Sequence, residues 1–372
     1  MPPVVSEALA PEHEDRDMMP TKRPTSPVEI QLWRRLRRGV VAIVGLVAAT
    51  AVGVVFVSCG RGSPPSAPAL HQVGQLELSG DGSRFDYASL DVGRGLLFVA
   101  HLGASEVIEV DVHAHRVVRT ISGLSQVHGV LVVPQRHQVY ATATGSNEMV
   151  TLDEDTGVEL GRARTGEYPD GLAYDPVHAT VWTTNETGGS ETVIDAATYR
   201  VRGTVELGGE VGNVAYDPGS GMMLVDVQSD NSLAVIDPAT LAVVRRVPLP
   251  GCDHDHGLAL DPVDRLAFIA CDGNAVLLTL DLNNWQVTET HTVDPAPDVL
   301  AYDPLAHRLY LAAESGWVST LDNHNRRLTL THREHLGEDA HVVAVDPTTG
   351  HSYYPLPSGP GGHPTLLEEA TP

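Results

Sequence analysis

The sequence predicts an all-β fold, a seven-bladed β-propeller of four-stranded blades. Three observations predict it. Asp-Pro turns recur at Asp175, Asp217, Asp261, Asp303 and Asp346, with spacings of 42, 44, 42 and 43 residues. An apolar residue followed by Asp recurs between them, at Asp111, Asp153, Asp195, Asp237, Asp281 and Asp322. Between these markers lie short alternating, β-branched runs separated by turn residues, which read as strands of about five residues. Four such runs per unit of roughly 42 residues is the period of a propeller blade. With Gly 35, Pro 26 and only 19% charged residues, turns are abundant, and helical spacing is not sustained after residue 70.

In chain order, residues 1–38 form a cytoplasmic n-region ending in Trp33-Arg34-Arg35-Leu36-Arg37-Arg38. Residues 39–58 are an uncharged hydrophobic signal or membrane anchor, followed by Cys59. Basic residues, an apolar run and a small residue before a single Cys resemble a bacterial lipoprotein signal, with Cys59 as the lipidated residue. An uncleaved signal anchor is the alternative, because the mostly apolar residues 40–57 are at the short end for a span. Either way the chain beyond residue 59 is expected outside the cytoplasm, attached to the membrane. Residues 59–69 are a flexible tether rich in Gly, Pro and Ser, and residues 70–372 are the propeller.

Residues 73–78 read as a lone outer strand, and the seventh unit lacks one before the chain ends. The N-terminal strand therefore completes the last blade and closes the ring, which removes exposed sheet edges. Beyond residue 58 the chain carries 17 basic against 42 acidic residues. Such a surface repels phosphate backbones, so no nucleic-acid partner is expected.

Each innermost strand begins with a polar residue in the same phase: Asp86, His128, Asp170, Asn213, His256, Asp298 and His341. Inner strands line a propeller's channel, so these residues form a ring at one mouth. His101 and Asn185, at the ends of second strands, are expected beside them. The ring could take a small polar ligand or an envelope protein. It could also hold a divalent metal such as Zn, Cu, Mn or Fe through His128, His256, His341 and His254. The bland alternative is that Asp, Asn and His simply satisfy backbone groups where strands begin. No nucleophile stands out, and the sequence has no C-x-x-C-H haem signal. Cys252 and Cys271 bracket the first hairpin of the fifth unit, where His256 is expected opposite about Cys271. In an oxidising compartment the two cysteines read as a disulfide, with two free thiols, or thiolates joining His254 as ligands, as the alternatives.

Val181-Trp182-Thr183-Thr184-Asn185 with Thr192-Val193-Ile194-Asp195, and Phe98-Val99-Ala100-His101 with Val110-Asp111, resemble the YVTN repeat of YncE-like propellers. The resemblance covers essentially the whole exported domain. It implies an exported bacterial propeller, and similar propellers serve as binding scaffolds, cofactor-enzyme subunits or sugar-lactone hydrolases. A ligand- or protein-binding scaffold is the expectation. A metal-dependent enzyme of lactonase or oxidoreductase type is the alternative, although the ring lacks the Glu and Asn-rich calcium centre of the lactonases.

Overall fold

In the computed structural model, residues 70–371 are described. The readings of residues 1–69, including lipidation at Cys59, lie outside the described residues. Among the described residues no helix is long and apolar enough to cross a membrane.

Residues 70–371 form seven antiparallel four-stranded sheets. Blade 1 runs from Ala88–Asp91 to Arg116–Ser122, blade 2 from Val127–Val133 to Glu159–Arg164, and blade 3 from Pro169–Asp175 to Arg200–Glu206. Blade 4 runs from Val214–Asp217 to Ala242–Pro248, blade 5 from Asp255–Asp261 to Gln286–Thr292, and blade 6 from Pro297–Asp303 to Arg327–His335. Blade 7 is composite: its order is His71–Glu77, Thr365–Ala370, His351–Leu356, Ala344–Asp346. The N-terminal strand pairs antiparallel with the C-terminal one, from His71 opposite Ala370 to Glu77 opposite Thr365. The closure expected from residues 73–78 is therefore present, starting two residues earlier.

Both repeat markers are local turn chemistry. The Asp175, Asp261 and Asp303 carboxylates each accept two backbone N–H groups from the residues two and three further on. This side-chain turn suits Asp before a tight reversal. The second marker does the same at Asp195, which accepts from Ala197 and Thr198 at 3.0 and 2.9 Å. Blade 2 has Val133-Pro134 in place of the aspartate, and a 3-10 turn over Pro134–Arg136 does the work instead.

The core lies between neighbouring sheets. Phe98, Ala100 and Val107 of blade 1 pack with Val139, Ala141 and Val150 of blade 2. Blade 1 packs on blade 7 through Leu97, Ile108, Val342 and Tyr353. The second strands carry Phe98, Tyr140, Trp182, Phe268 and Tyr310 in repeat phase, all essentially buried. Each large apolar side chain so buried contributes about 1.5–3 kcal/mol.

The ring positions differ from expectation in register. In blades 1, 4 and 7 pairing begins at Ala88, Val214 and Ala344, so Asp86, Asn213 and His341 precede their strands. In blades 2, 3, 5 and 6 the strand begins one residue ahead of the ring residue and is then irregular. Asp255 pairs with Cys271 and Gly257 with Ala270, leaving His256 bulged out rather than opposite Cys271. An extra residue in one strand turns its side chain out of the ladder. The residue two before the ring prepares this kink with a left-handed backbone: φ is 48° at Gln126, 59° at Tyr168, 65° at His254 and 55° at Ala296.

Candidate functional site

The ring residues meet through the backbone as well as through side chains. Tyr87 N–H donates to the His128 carbonyl at 3.3 Å, and Asn213 N–H to the His256 carbonyl at 2.9 Å. A glycine follows the ring residue in blades 2, 3 and 5. A Cβ at Gly129 would lie 2.2 Å from the Asp170 carbonyl oxygen, and one at Gly257 2.1 Å from that of Asp298. Both are far inside van der Waals contact, so glycine is required where one blade's ring residue leans on the next.

Arg84 reaches into this mouth. Its guanidinium lies 3.3 Å from Asp86, 3.1 Å from Glu314 and 3.8 Å from Asp298, so it bridges blades 1 and 6. Burial works against its charge, but Asp86, Glu314, Asp298 and Asp339 raise its pKa well above the usual value. The mouth thus contains a built-in cation. Sequence reasoning missed Arg84 because a search for repeating positions finds only what repeats. The signal was available: Arg84 is the sole basic residue between Arg61 and Arg94, two residues before Asp86. Tyr87 was missed for the same reason; its hydroxyl donates to Asn213 Oδ1 at 3.0 Å, joining blade 1 to blade 4.

The histidines are held separately. His128 Nδ1 is 2.9 Å from the Gln126 carbonyl and its Nε2 is 3.0 Å from the Tyr168 hydroxyl. A neutral ring satisfies both partners, and burial lowers its pKa accordingly. His256 Nε2 is 3.1 Å from Asp298 Oδ1. Gln228 Nε2 donates to the Val211 carbonyl at 3.0 Å and lies 2.9 Å from His256 Nδ1. Burial opposes the charged form of His256, but Asp298, Glu186 and Asp170 outweigh it and push the pKa up to about 10. His341 Nδ1 lies 2.8 Å from the Asp339 carbonyl. His254 faces Asp272 at 2.7 Å and Glu210 at 3.6 Å.

These four histidines do not converge on one point. Among the described residues the mouth contains no trio of His, Cys or carboxylate donors within 4.8 Å of one another; the group that meets this distance lies elsewhere. His101 and Asn185 are fully buried within their own blades. His101 stacks on Phe85 and meets Ser83 at 3.1 Å. Asn185 donates to Ser190 and Thr192 and accepts from Gly166 N–H.

Asp170 Oδ1 and His341 Nε2 are among the mouth atoms buried without a hydrogen-bond partner, on residues 7% and 0% exposed. Burial, with Glu186, Asp86 and Asp298 nearby, raises the Asp170 pKa well above the usual carboxyl value. Beside His256 in the chain, Asp255 accepts Val227 N–H at 3.0 Å. Burial pushes the Asp255 pKa up to about 7, and that of Asp226 well above normal, with the Asp255 charge adding to it. A disulfide joins Cys252 to Cys271, with Cα atoms 5.4 Å apart.

Comparison with solved structures fits this geometry. Hydrazine synthase from Kuenenia stuttgartiensis has a chain with TM-score 0.66 and 16% identity, covering 75% of this chain and 94% of that one. A chain in the crystal structure of a mitotic checkpoint complex has TM-score 0.69 and 12% identity, covering 87% of this chain and 99% of that one. The shared feature is the seven-bladed propeller. No family model and no curated protein matches this sequence. At these identities the likeness assigns the fold alone, and function has to be argued from the site.

Proposed function

We propose that the protein is a binding scaffold of the YVTN-repeat kind, exported and attached to the membrane by its N-terminal segment. Its channel mouth takes a small ligand rich in hydrogen-bond donors, most readily an organic cation. The observation that carries this reading is the buried pair of orphaned atoms, Asp170 Oδ1 and His341 Nε2. Buried polar atoms normally have partners, so an orphan in a channel mouth calls for a ligand. His341 donates through Nδ1 to the Asp339 carbonyl, and its Nε2 has no partner among the described residues. Asp86, Glu186, Asp298 and Glu314 bring more negative charge to the mouth than Arg84 and His256 offset, and Asp170 adds to it once it gives up its proton. An ammonium group answers both the charge and the missing donors.

Arg84 favours this reading over a metal-dependent enzyme, because a guanidinium already bridges Asp86 and Asp298, two of the carboxylates a ring-bound metal would draw on. Calorimetric titration of the full chain with putrescine, and with neutral 1,4-butanediol as comparator, tests it. Saturable binding of the diamine is expected, weakened at least about tenfold in Asp170→Asn, a loss of about 1.4 kcal/mol. The Asp170 carboxyl must release its raised proton to receive an ammonium. Affinity for the diamine therefore rises with pH. No saturable heat at any pH between 6 and 9 would sink the reading.

A further inference from the structure

At the opposite end of the channel, where the inner strands finish in Asp-Pro turns, blades 5 and 6 bring three donors together. Asp261, Asp264 and His307 each offer one atom within 4.8 Å of the other two. Asp261 opens the blade 5 turn and Asp264 lies three residues on, held by its own N–H donating to Asp261 Oδ1 at 3.0 Å. His307 closes the matching turn of blade 6, in the left-handed conformation at φ 51°. Asp261 is fully buried, Asp264 half-buried and His307 exposed, so the group opens to solvent on one side.

The surroundings leave this group short of positive charge. Arg265 is committed to Asp217, and Arg308 is committed to Asp322. Among the described residues no arginine pairs with Asp261 or Asp264. A fourth side chain points in from the third strand of blade 6, Trp317–His324. Asn323 is 3% exposed; its Nδ2 lies 3.0 Å from Asp261 Oδ2 and 3.2 Å from Asp264 Oδ2. Its Oδ1 is buried without a partner. The amide can sit either way round in such a slot. With Nδ2 inward it partly screens two carboxylates and strands its oxygen. With Oδ1 inward it would add a third oxygen beside the two carboxylates and the Tyr302 hydroxyl, an arrangement that a bound cation would favour. That hydroxyl donates to Asp261 Oδ2 at 2.5 Å and lies 3.4 Å from the amide.

We propose that Asp261, Asp264 and His307, with Asn323 as a fourth donor, form a site for a divalent transition-metal cation of the Zn2+ or Mn2+ class that clamps blade 5 to blade 6. One imidazole among oxygen donors suits these ions. Ca2+ takes 6–8 oxygen ligands, which this group does not supply. The site is distinct from the histidine ring, lying at the turn end of the strands whose other end carries His256 and Asp298.

The test uses the full chain, dialysed against a chelator and titrated with Zn2+ or Mn2+, read by calorimetry and by thermal unfolding. One equivalent should bind and raise Tm. His307→Ala and Asp264→Ala, both at accessible positions, should each weaken binding at least tenfold, while His324→Ala, an exposed histidine at the end of the neighbouring strand, should not. Asn323→Asp provides an independent reading. It should lower Tm in chelator, where a third carboxylate is uncompensated, and show a larger metal-induced rise than the parent. Absence of saturable binding, unchanged affinity in His307→Ala, or an Asn323→Asp variant whose Tm ignores the metal would each overturn the proposal.

Discussion

At the residue scale, the mouth combines groups whose preferred charge states conflict, and Asp255 shows the consequence most clearly. Its carboxyl is fully buried, accepts one backbone N–H, and lies near a second buried acid, Asp226. Burial pushes its pKa up to about 7 in the folded protein, against about 3.9 for an unperturbed Asp. Between these values the unfolded chain binds fewer protons than the native one. Stability contributed at low pH is therefore lost as pH rises from about 4 to 7. Asp255→Asn removes the ionisation while its amide oxygen still accepts Val227 N–H, and its NH2 can donate to Asp226. Denaturant unfolding at two pH values checks this. The variant should match the parent within about 0.5 kcal/mol at pH 4 and exceed it by about 2–4 kcal/mol at pH 8, at 1.36 kcal/mol per pKa unit. Equal stability of the two proteins at pH 8 would show that Asp255 ionises without cost.

At the element scale, what the sequence made legible was what repeats and what is local. The turn aspartates could be read because the side-chain turn is complete within four residues. The ring phase could be read because seven strands share it. The bulge at His256 could not, since the register depends on how the preceding left-handed residue kinks the strand. Arg84, Tyr87 and Gln228 were illegible for a different reason: their partners are Asp298, Asn213 and His256, in other blades, and no spacing rule links those positions. Asp261, Asp264 and His307 were hidden by the repeat itself, because Asp261 is fully explained as a turn residue. The Cys252–Cys271 pair is the local cross-link of blade 5, spanning a sequence separation of 19. Closing a loop of that size restricts the unfolded chain by about 3 kcal/mol. Cys252→Ser with Cys271→Ser should lower unfolding free energy by about 2–4 kcal/mol, measured in denaturant without reductant. Because Asp255 pairs with Cys271, the double variant should also loosen the diamine affinity of the mouth.

At the scale of the whole molecule, the seventh sheet is one strand short without the N-terminal strand. Residues His71–Glu77 are mostly exposed, so they contribute chiefly through backbone pairing with Thr365–Ala370. The flanking Leu70 and Leu78 are buried, 7% and 3% exposed, and at roughly 1.5–3 kcal/mol each they add about 3–6 kcal/mol. The strand also covers an edge. Without it, Thr365–Ala370 would present a free row of N–H and C=O groups, the arrangement that recruits other chains. A chain lacking residues 1–69 keeps every part of this closure and should remain monomeric. A chain lacking residues 1–78 loses the strand and both leucines. It should unfold at a markedly lower denaturant concentration and self-associate at micromolar concentration, measured by light scattering on a sizing column. Adding the peptide of residues 70–78 in trans should restore the monomer, because the register from His71 opposite Ala370 to Glu77 opposite Thr365 needs no covalent link to form. A monomeric 79–372 chain with an unchanged unfolding midpoint would mean that packing between blades alone holds the ring closed.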